Sequence, residues 1–231
     1  MDCRSLRYRR ITVFAGHYGS GKTNIAINYA LAIRKAEPKV VIADLDIVNP
    51  YFRTKDSENV LNKAGIKLIS SEYANSNVDT PAIPSEVYSI FDDKSIAGVI
   101  DVGGDDRGAL ALGRYVPSLL EENDYEMLYV INKYRFLTSD VISTVQVMKE
   151  IEYASKIKFT GIINNSNIGD ETTPEIVMSS IRYADKVAEK TGLGIKMTTV
   201  NRKIYPQLAL KIENVNPIDL YVRQSWLKQE E

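Results

Sequence analysis

Gly16-His17-Tyr18-Gly19-Ser20-Gly21-Lys22-Thr23 stands between the apolar run Ile11-Thr12-Val13-Phe14-Ala15 and the segment Asn24-Ile25-Ala26-Ile27-Asn28-Tyr29-Ala30. The spacing fits G-x-x-x-x-G-K-[ST] in the strand, loop, helix context that gives the pattern its meaning, a loop that cradles phosphate. Gly16, Gly19 and Gly21 let backbone N–H groups wrap a β-phosphate, because Cβ atoms are absent and positive φ is open there. Lys22 brings an ammonium to the β- and γ-phosphate oxygens, and Thr23 offers a hydroxyl to Mg²⁺. The positive end of the following helix adds to the field. The expected nucleotide contacts are therefore Gly16, His17, Tyr18, Gly19, Ser20, Gly21, Lys22, Thr23 and Asn24, with Lys22 also a catalytic candidate.

Outward from the loop, Ile25, Tyr29, Ala30 and Ile33 recur at helical spacing, and Pro38 closes that helix. Val40-Val41-Ile42-Ala43 is a continuous apolar run, as expected of a strand covered on both faces, and it delivers Asp44-Leu45-Asp46 at its end. Further strands are expected at 66–69, 96–100, 127–131, 159–163 and 195–200. Ser85 is expected to cap a short helix reaching Phe91, and Val141, Val145, Met148 and Ile151 mark another. Thr173 and Pro174 read as an N-cap and first helical residue, with Val177, Ile181, Ala184 and Ala188 as the buried stripe and Gly192 as the stop. A C-terminal helical region is expected to end near Trp226. The proline-punctuated stretch 70–84 reads as a surface loop able to cover a ligand. Strands alternating with helices predict one domain over residues 1–231, a three-layer α/β/α fold with a mostly parallel sheet of about seven strands. Ligands then bind at the C-terminal strand ends.

Composition removes several function classes. Lysine and arginine total 29 against 30 acids, a formal charge of −1, so no global field draws the chain to nucleic acid or anionic lipid. Arg4, Arg7, Arg9 and Arg10 read as a solvated leader. Cys3 is the single cysteine, which rules out an intramolecular disulfide or a thiolate metal cluster within one subunit. No apolar run approaches the ~18 residues of a transmembrane helix, and the N-terminal residues lack a signal-peptide core. A cytoplasmic protein without a membrane or nucleic-acid partner is expected.

Two acidic segments also follow apolar strands. Asp101 is placed to hold Mg²⁺ directly or through a water, and Gly104 completes D-x-x-G, whose glycine N–H can sense a γ-phosphate. Asp46 is the candidate for orienting, or taking a proton from, an attacking water. With Thr23 and Asp101 it also makes the expected metal set, and Asp44 is a second carboxylate near Lys22 or the metal.

The loop, the run Val41-Ile42-Ala43-Asp44-Leu45-Asp46 and Asp101-Val102-Gly103-Gly104 resemble the MinD/ParA/Mrp group of SIMIBI-class P-loop ATPases and the nitrogenase iron protein. The resemblance implies that Asp46 lies in switch I and that Asp101 to Gly104 form switch II. In that group a lysine two residues before the second loop glycine reaches a partner subunit's nucleotide. This chain has His17 there, which leaves His17, Arg53 and Arg107 as candidate replacements. The iron protein's interface cysteines have no counterpart beyond Cys3, so electron transfer is not expected. Residues 219–231 mix Leu220, Tyr221, Val222, Trp226 and Leu227 with terminal acids, and read as a packed helix in place of a membrane anchor.

Asn132-Lys133-Tyr134-Arg135 follows the fifth strand, where a GTPase carries N-K-x-D. Arg135 has only donors and cannot accept from guanine N1–H and N2–H₂, so ATP is favoured over GTP. Asn164 or Asn165 can offer a donor and an acceptor to the adenine edge, or can serve as turn residues leaving a strand. The family resemblance favours Asn165 for the adenine contact. The leading reading is an ATPase switch: Mg-ATP binds, two subunits close as a homodimer, hydrolysis to ADP relaxes the loops around Asp46 and Gly104, and affinity for a protein partner changes. The alternative is a small-molecule kinase or ligase resembling dethiobiotin synthetase or the cobyrinate amidation enzymes.

Overall fold

The computed structural model describes residues 1, 8–46, 57–70, 84–104 and 106–222. Among the described residues eight strands form a single sheet: β1 (Ile11–Ala15), β2 (Val40–Leu45), β3 (Lys67–Ser70), β4 (Ala97–Val102), β5 (Tyr125–Ile131), β6 (Gly161–Asn164), β7 (Ile195–Asn201) and β8 (Val215–Ile218). Their order is β3-β2-β4-β1-β5-β6-β7-β8, and every pairing among the described residues is parallel. Parallel neighbours need crossovers, and the long ones are helical. The principal helices are α1 (Lys22–Ile33), α2 (Glu58–Lys63), α3 (Ser89–Asp92), α4 (Asp106–Gly113), α5 (Val116–Glu122), α6 (Val141–Ser155), α7 (Pro174–Thr191) and α8 (Tyr205–Leu208).

Strand alternation sorts apolar side chains onto two faces. Ile11, Val13 and Ala15 join Ala43, Leu45, Ile100 and Val102 in a core closed by residues of α4 to α7, including Leu112, Leu119, Met148 and Val187. Phe14, Ile42, Val99 and Val130 point the other way, onto Ile25, Tyr29 and Ile33 of α1. There Phe14 and Tyr29 meet edge to face, with ring centroids 5.1 Å apart at 75°. The result is the expected three-layer α/β/α arrangement.

Local signals set the helix ends. Asp140 accepts the backbone N–H groups of Ile142 and Ser143 to start α6. Thr173 accepts from Ile176 N–H ahead of Pro174, and Gly192, at φ +72°, ends α7 as expected.

The sheet has one strand more than expected, and the C-terminal part is where the sequence reading fails. The region expected to be helical contains only the short α8 before β8. Asn214 turns the chain at φ +57°, Thr198 N–H bonds the Asn214 carbonyl at 3.1 Å, and Val215-Asn216-Pro217-Ile218 then pairs with β7. Four residues, half of them Asn and Pro, carry no period to betray a strand. Residues 219–222 are not helical either, and lie along α1. Trp226 and the rest of 223–231 lie outside the described residues, as do Cys3, Arg4, Arg7, Arg53 and most of the 70–84 loop.

Candidate nucleotide site

Chain connections diverge on either side of β1: β4 and β2 lie to one side, β5 to the other. In open parallel sheets the crevice at such a point, beyond the carboxyl ends of the strands, is where ligands bind. The loop Gly16 to Gly21 fills it, running from β1 into α1. Gly21 is the N-cap residue of α1 at φ +89°, and a Cβ there would overlap the Asn165 amide. Lys22, buried in the first turn, directs Nζ to the His17 carbonyl at 3.3 Å.

The acidic segments arrive by register. Asp44 of β2 pairs with Asp101 of β4, and Asp101 with Phe14 of β1, so both carboxylates lie level with the end of β1. They are 5 % and 1 % exposed, on the face that α1 covers. Asp44 accepts the Asp46 N–H at 2.9 Å, which turns the chain out of β2. With Thr23 in α1 these acids offer hard oxygen donors. That set fits Mg²⁺, which takes one or two carboxylates and completes its shell with water and phosphate.

The D-x-x-G segment touches both earlier motifs. A Cβ on Gly104 would lie 2.5 Å from the Tyr18 amide nitrogen and 3.0 Å from Lys22 Nζ, so only glycine lets the segment approach the loop this closely. A Cβ on Gly103 would lie 3.2 Å from Asp46 Oδ1. Asp46, Gly103, Gly104, Tyr18 and Lys22 thus form one contiguous group.

Other expected residues are placed differently. The Asn24 side chain turns away from the phosphate loop: its Oδ1 accepts the Tyr221 and Val222 N–H groups and its Nδ2 donates to the Val222 carbonyl. Asn165 is buried, donating to the Ser20 carbonyl at 2.7 Å and accepting from Thr199 Oγ1 at 2.7 Å. Asn164 bonds Ser180 and Ser166. His17 is half-buried beside Lys22; burial first, and then the lysine charge, hold its imidazole below the ordinary 6.5. Arg107 is exposed on α4. Sequence reasoning noticed Arg135 only for its lack of an acceptor; its Nε in fact donates to the Gly19 carbonyl at 2.8 Å. Asn132, fully buried, organises that corner by accepting from the Tyr134 and Asn167 N–H groups and donating to the Asn167 carbonyl. The only sequence signal for either is their position just after β5.

The fold is that of a P-loop nucleoside triphosphatase domain. A scan against protein-family models and a search of curated proteins return no match, whereas solved structures do match. Chloroplast FtsY from Physcomitrella patens superposes with a TM-score of 0.58 at 16% identity, covering 86% of this chain and 60% of that one. The cell division protein FtsY from Thermotoga maritima gives 0.54 at 19%, covering 92% and 66%. The signal recognition particle receptor FtsY from Elizabethkingia anophelis, in complex with GDP, gives 0.50 at 17%, covering 86% and 59%. The chain thus spans about three fifths of the FtsY from Physcomitrella patens, and the likeness concerns the fold. No helix among the described residues is long and apolar enough to cross a membrane.

Proposed function

We propose that this chain binds and hydrolyses Mg-ATP and acts as a nucleotide-dependent switch on a protein partner. The observation that carries the reading is the approach of Gly104 to Tyr18 and Lys22. A γ-phosphate held by Lys22 lies within reach of the Gly104 N–H, so its loss changes what the D-x-x-G segment can bond to. Asp46, against Gly103, shares in that movement. On this reading Gly16 to Thr23 cradle the phosphates, Thr23 and Asp101 hold Mg²⁺ and Asp46 orients the attacking water. Bound Mg²⁺ supplies charge neutralisation at the transferred phosphoryl group.

The choice of ATP rests on the base side. The FtsY from Elizabethkingia anophelis is in complex with GDP. In this chain 132–139 and 164–169 contain no Asp or Glu to accept from guanine. Asp140, the first carboxylate after 139, is engaged with Ile142, Ser143 and the Ser143 hydroxyl, and Asp170 and Glu171, which follow 169, stand exposed in a single turn of helix. The switch reading includes closure of two copies over bound ATP. Light scattering with Mg-ADP and then a non-hydrolysable Mg-ATP analogue tests it: a dimer only with the analogue is expected, and equal masses overturn gated dimerisation. Displacement of fluorescent ADP by GDP as readily as by ADP overturns the assignment to ATP.

A further inference from the structure

We propose that Arg135 and Asn165 are positioning residues that hold the Gly19 and Ser20 peptide groups of the phosphate loop in their binding orientation from two neighbouring strand ends, without touching the base. The inference rests on the reading of the loop as a nucleotide phosphate site.

A phosphate loop works by aiming successive N–H groups at one point, and a short glycine-rich loop has many other conformations available. Here two consecutive carbonyls are tied. Arg135, from the turn after β5, donates Nε to the Gly19 carbonyl at 2.8 Å, while Gly19 itself sits at φ +75° under the guanidinium. Asn165, at the end of β6, donates Nδ2 to the Ser20 carbonyl at 2.7 Å. A peptide whose carbonyl is bonded outward turns its N–H the opposite way: behind the Gly19 carbonyl that is the Ser20 N–H, which closes the loop on the His17 carbonyl at 3.1 Å, and behind the Ser20 carbonyl it is the Gly21 N–H, at the entry to α1.

Asn165 is itself braced. Its N–H bonds the Ile131 carbonyl of β5 at 2.9 Å, its carbonyl accepts from Asn167 at 2.8 Å, and its Oδ1 accepts from Thr199 of β7. The side chain is 3 % exposed and lies against Gly21. Its Oδ1 and one N–H of Nδ2 serve the protein on opposite sides, which makes it a strut between β7 and the loop. Arg135 presents Nε to the loop from 116 residues further along the chain.

A strut and a base contact predict different ligand dependence. Losing a strut weakens every ligand that uses the loop by one common factor, whereas losing a base contact leaves base-free ligands alone. Calorimetric titration of Arg135→Ala, Arg135→Lys and Thr199→Val with Mg-ADP and with Mg-pyrophosphate, which has no base, separates the two. Arg135→Ala is expected to weaken both ligands by a similar factor, roughly tenfold to a hundredfold, the range for a lost hydrogen bond from a charged group. Arg135→Lys recovers part of the loss. Thr199→Val, nearly isosteric and one bond removed from the loop, weakens both several-fold. Turnover should show the change in KM with little in kcat. Weakened ADP with unchanged pyrophosphate places Arg135 on the base and overturns the proposal, as do variants that bind both ligands like the wild type. If the wild-type chain binds neither ligand, the nucleotide reading falls and the strut with it.

Discussion

The side-chain amide of Asn28 takes both backbone polar groups of Asp219, accepting its N–H at 2.9 Å and donating to its carbonyl at 2.7 Å, although 191 residues separate them. One turn earlier Asn24 does the same for Val222, and Arg202 holds the Asp219 carboxylate with two nitrogens. The helix that begins with Lys22 therefore also anchors the segment 219–222. Asn28→Ala removes two hydrogen bonds from a half-buried backbone pair and should lower unfolding stability by about 1–3 kcal/mol. Urea unfolding gives the magnitude. Faster hydrogen exchange at Asp219, with α1 amides unchanged, locates the effect; equal exchange at both sites would sink the local explanation.

Lys22→Ala should abolish detectable Mg-ATP binding while leaving circular dichroism and urea midpoint close to wild type. Retained micromolar binding would mean that the loop is not the phosphate site. Asp46→Ala should bind Mg-ATP and fail to hydrolyse it, since its place beside Gly103 suits water positioning more than phosphate binding. Wild-type turnover in that variant would give the role to another residue.

His17 makes stability depend on pH in a defined direction. Its folded pKa lies below the ordinary 6.5, through burial first and the Lys22 charge second. Between the depressed value and 6.5 the unfolded chain binds the proton more readily, so stability falls as pH drops through that window. His17→Gln should flatten urea stability across it. A variant with the same pH slope as wild type would assign the slope elsewhere.

Glu122 acts lower on the pH scale. Arg10 and Lys94 both bond its carboxylate, and the Arg10 hydrogen bond is the main cause that holds it below the ordinary 4.5. Arg10 also donates to the Ile90 and Ile96 carbonyls at 2.8 Å, joining α3 to the entry of β4. A depressed carboxyl adds stability that is present above about 4.5 and is lost as pH falls through the folded value. Glu122→Gln should be less stable than wild type at pH 7 and should approach it in acid. A constant difference between the two curves would contradict the assignment.

The legible parts of this chain are those whose cause is local. The passage of Gly16 to Thr23 from β1 into α1 could be read because glycines at fixed spacing join an apolar run to a helical period, and the strand-end positions of Asp44 and Asp101 because each closes a continuous apolar run. β1 has the expected bounds, β2, β5 and β7 run one or two residues longer than expected, β3 and β4 start one residue later, and β6 starts two residues later. What escaped depends on partners far along the chain. Nothing in the sequence around Asn24 announces Tyr221 and Val222 as its side-chain partners, and nothing around Asn165 announces Ser20 and Thr199, which bond the two ends of its amide. Arg135 gives no sign in sequence that Gly19 is its acceptor. β8 was missed because Asn216 and Pro217 break any alternation, and its pairing with β7 is a tertiary choice.

Those same two residues bear on solubility. Among the described residues the parallel sheet ends in two strands, β3 and β8, each with one side unpaired, a template onto which another chain can grow. β8 has Pro217 at its centre, which has no N–H to donate, and the Pro217 carbonyl accepts from the Met1 amino group at 2.8 Å. At the opposite margin β3 is four residues long and opens with exposed Lys67. Both rims of the sheet are thus poor templates for intermolecular growth, and replacing Pro217 with a β-branched residue would restore a donor at the middle of one of them.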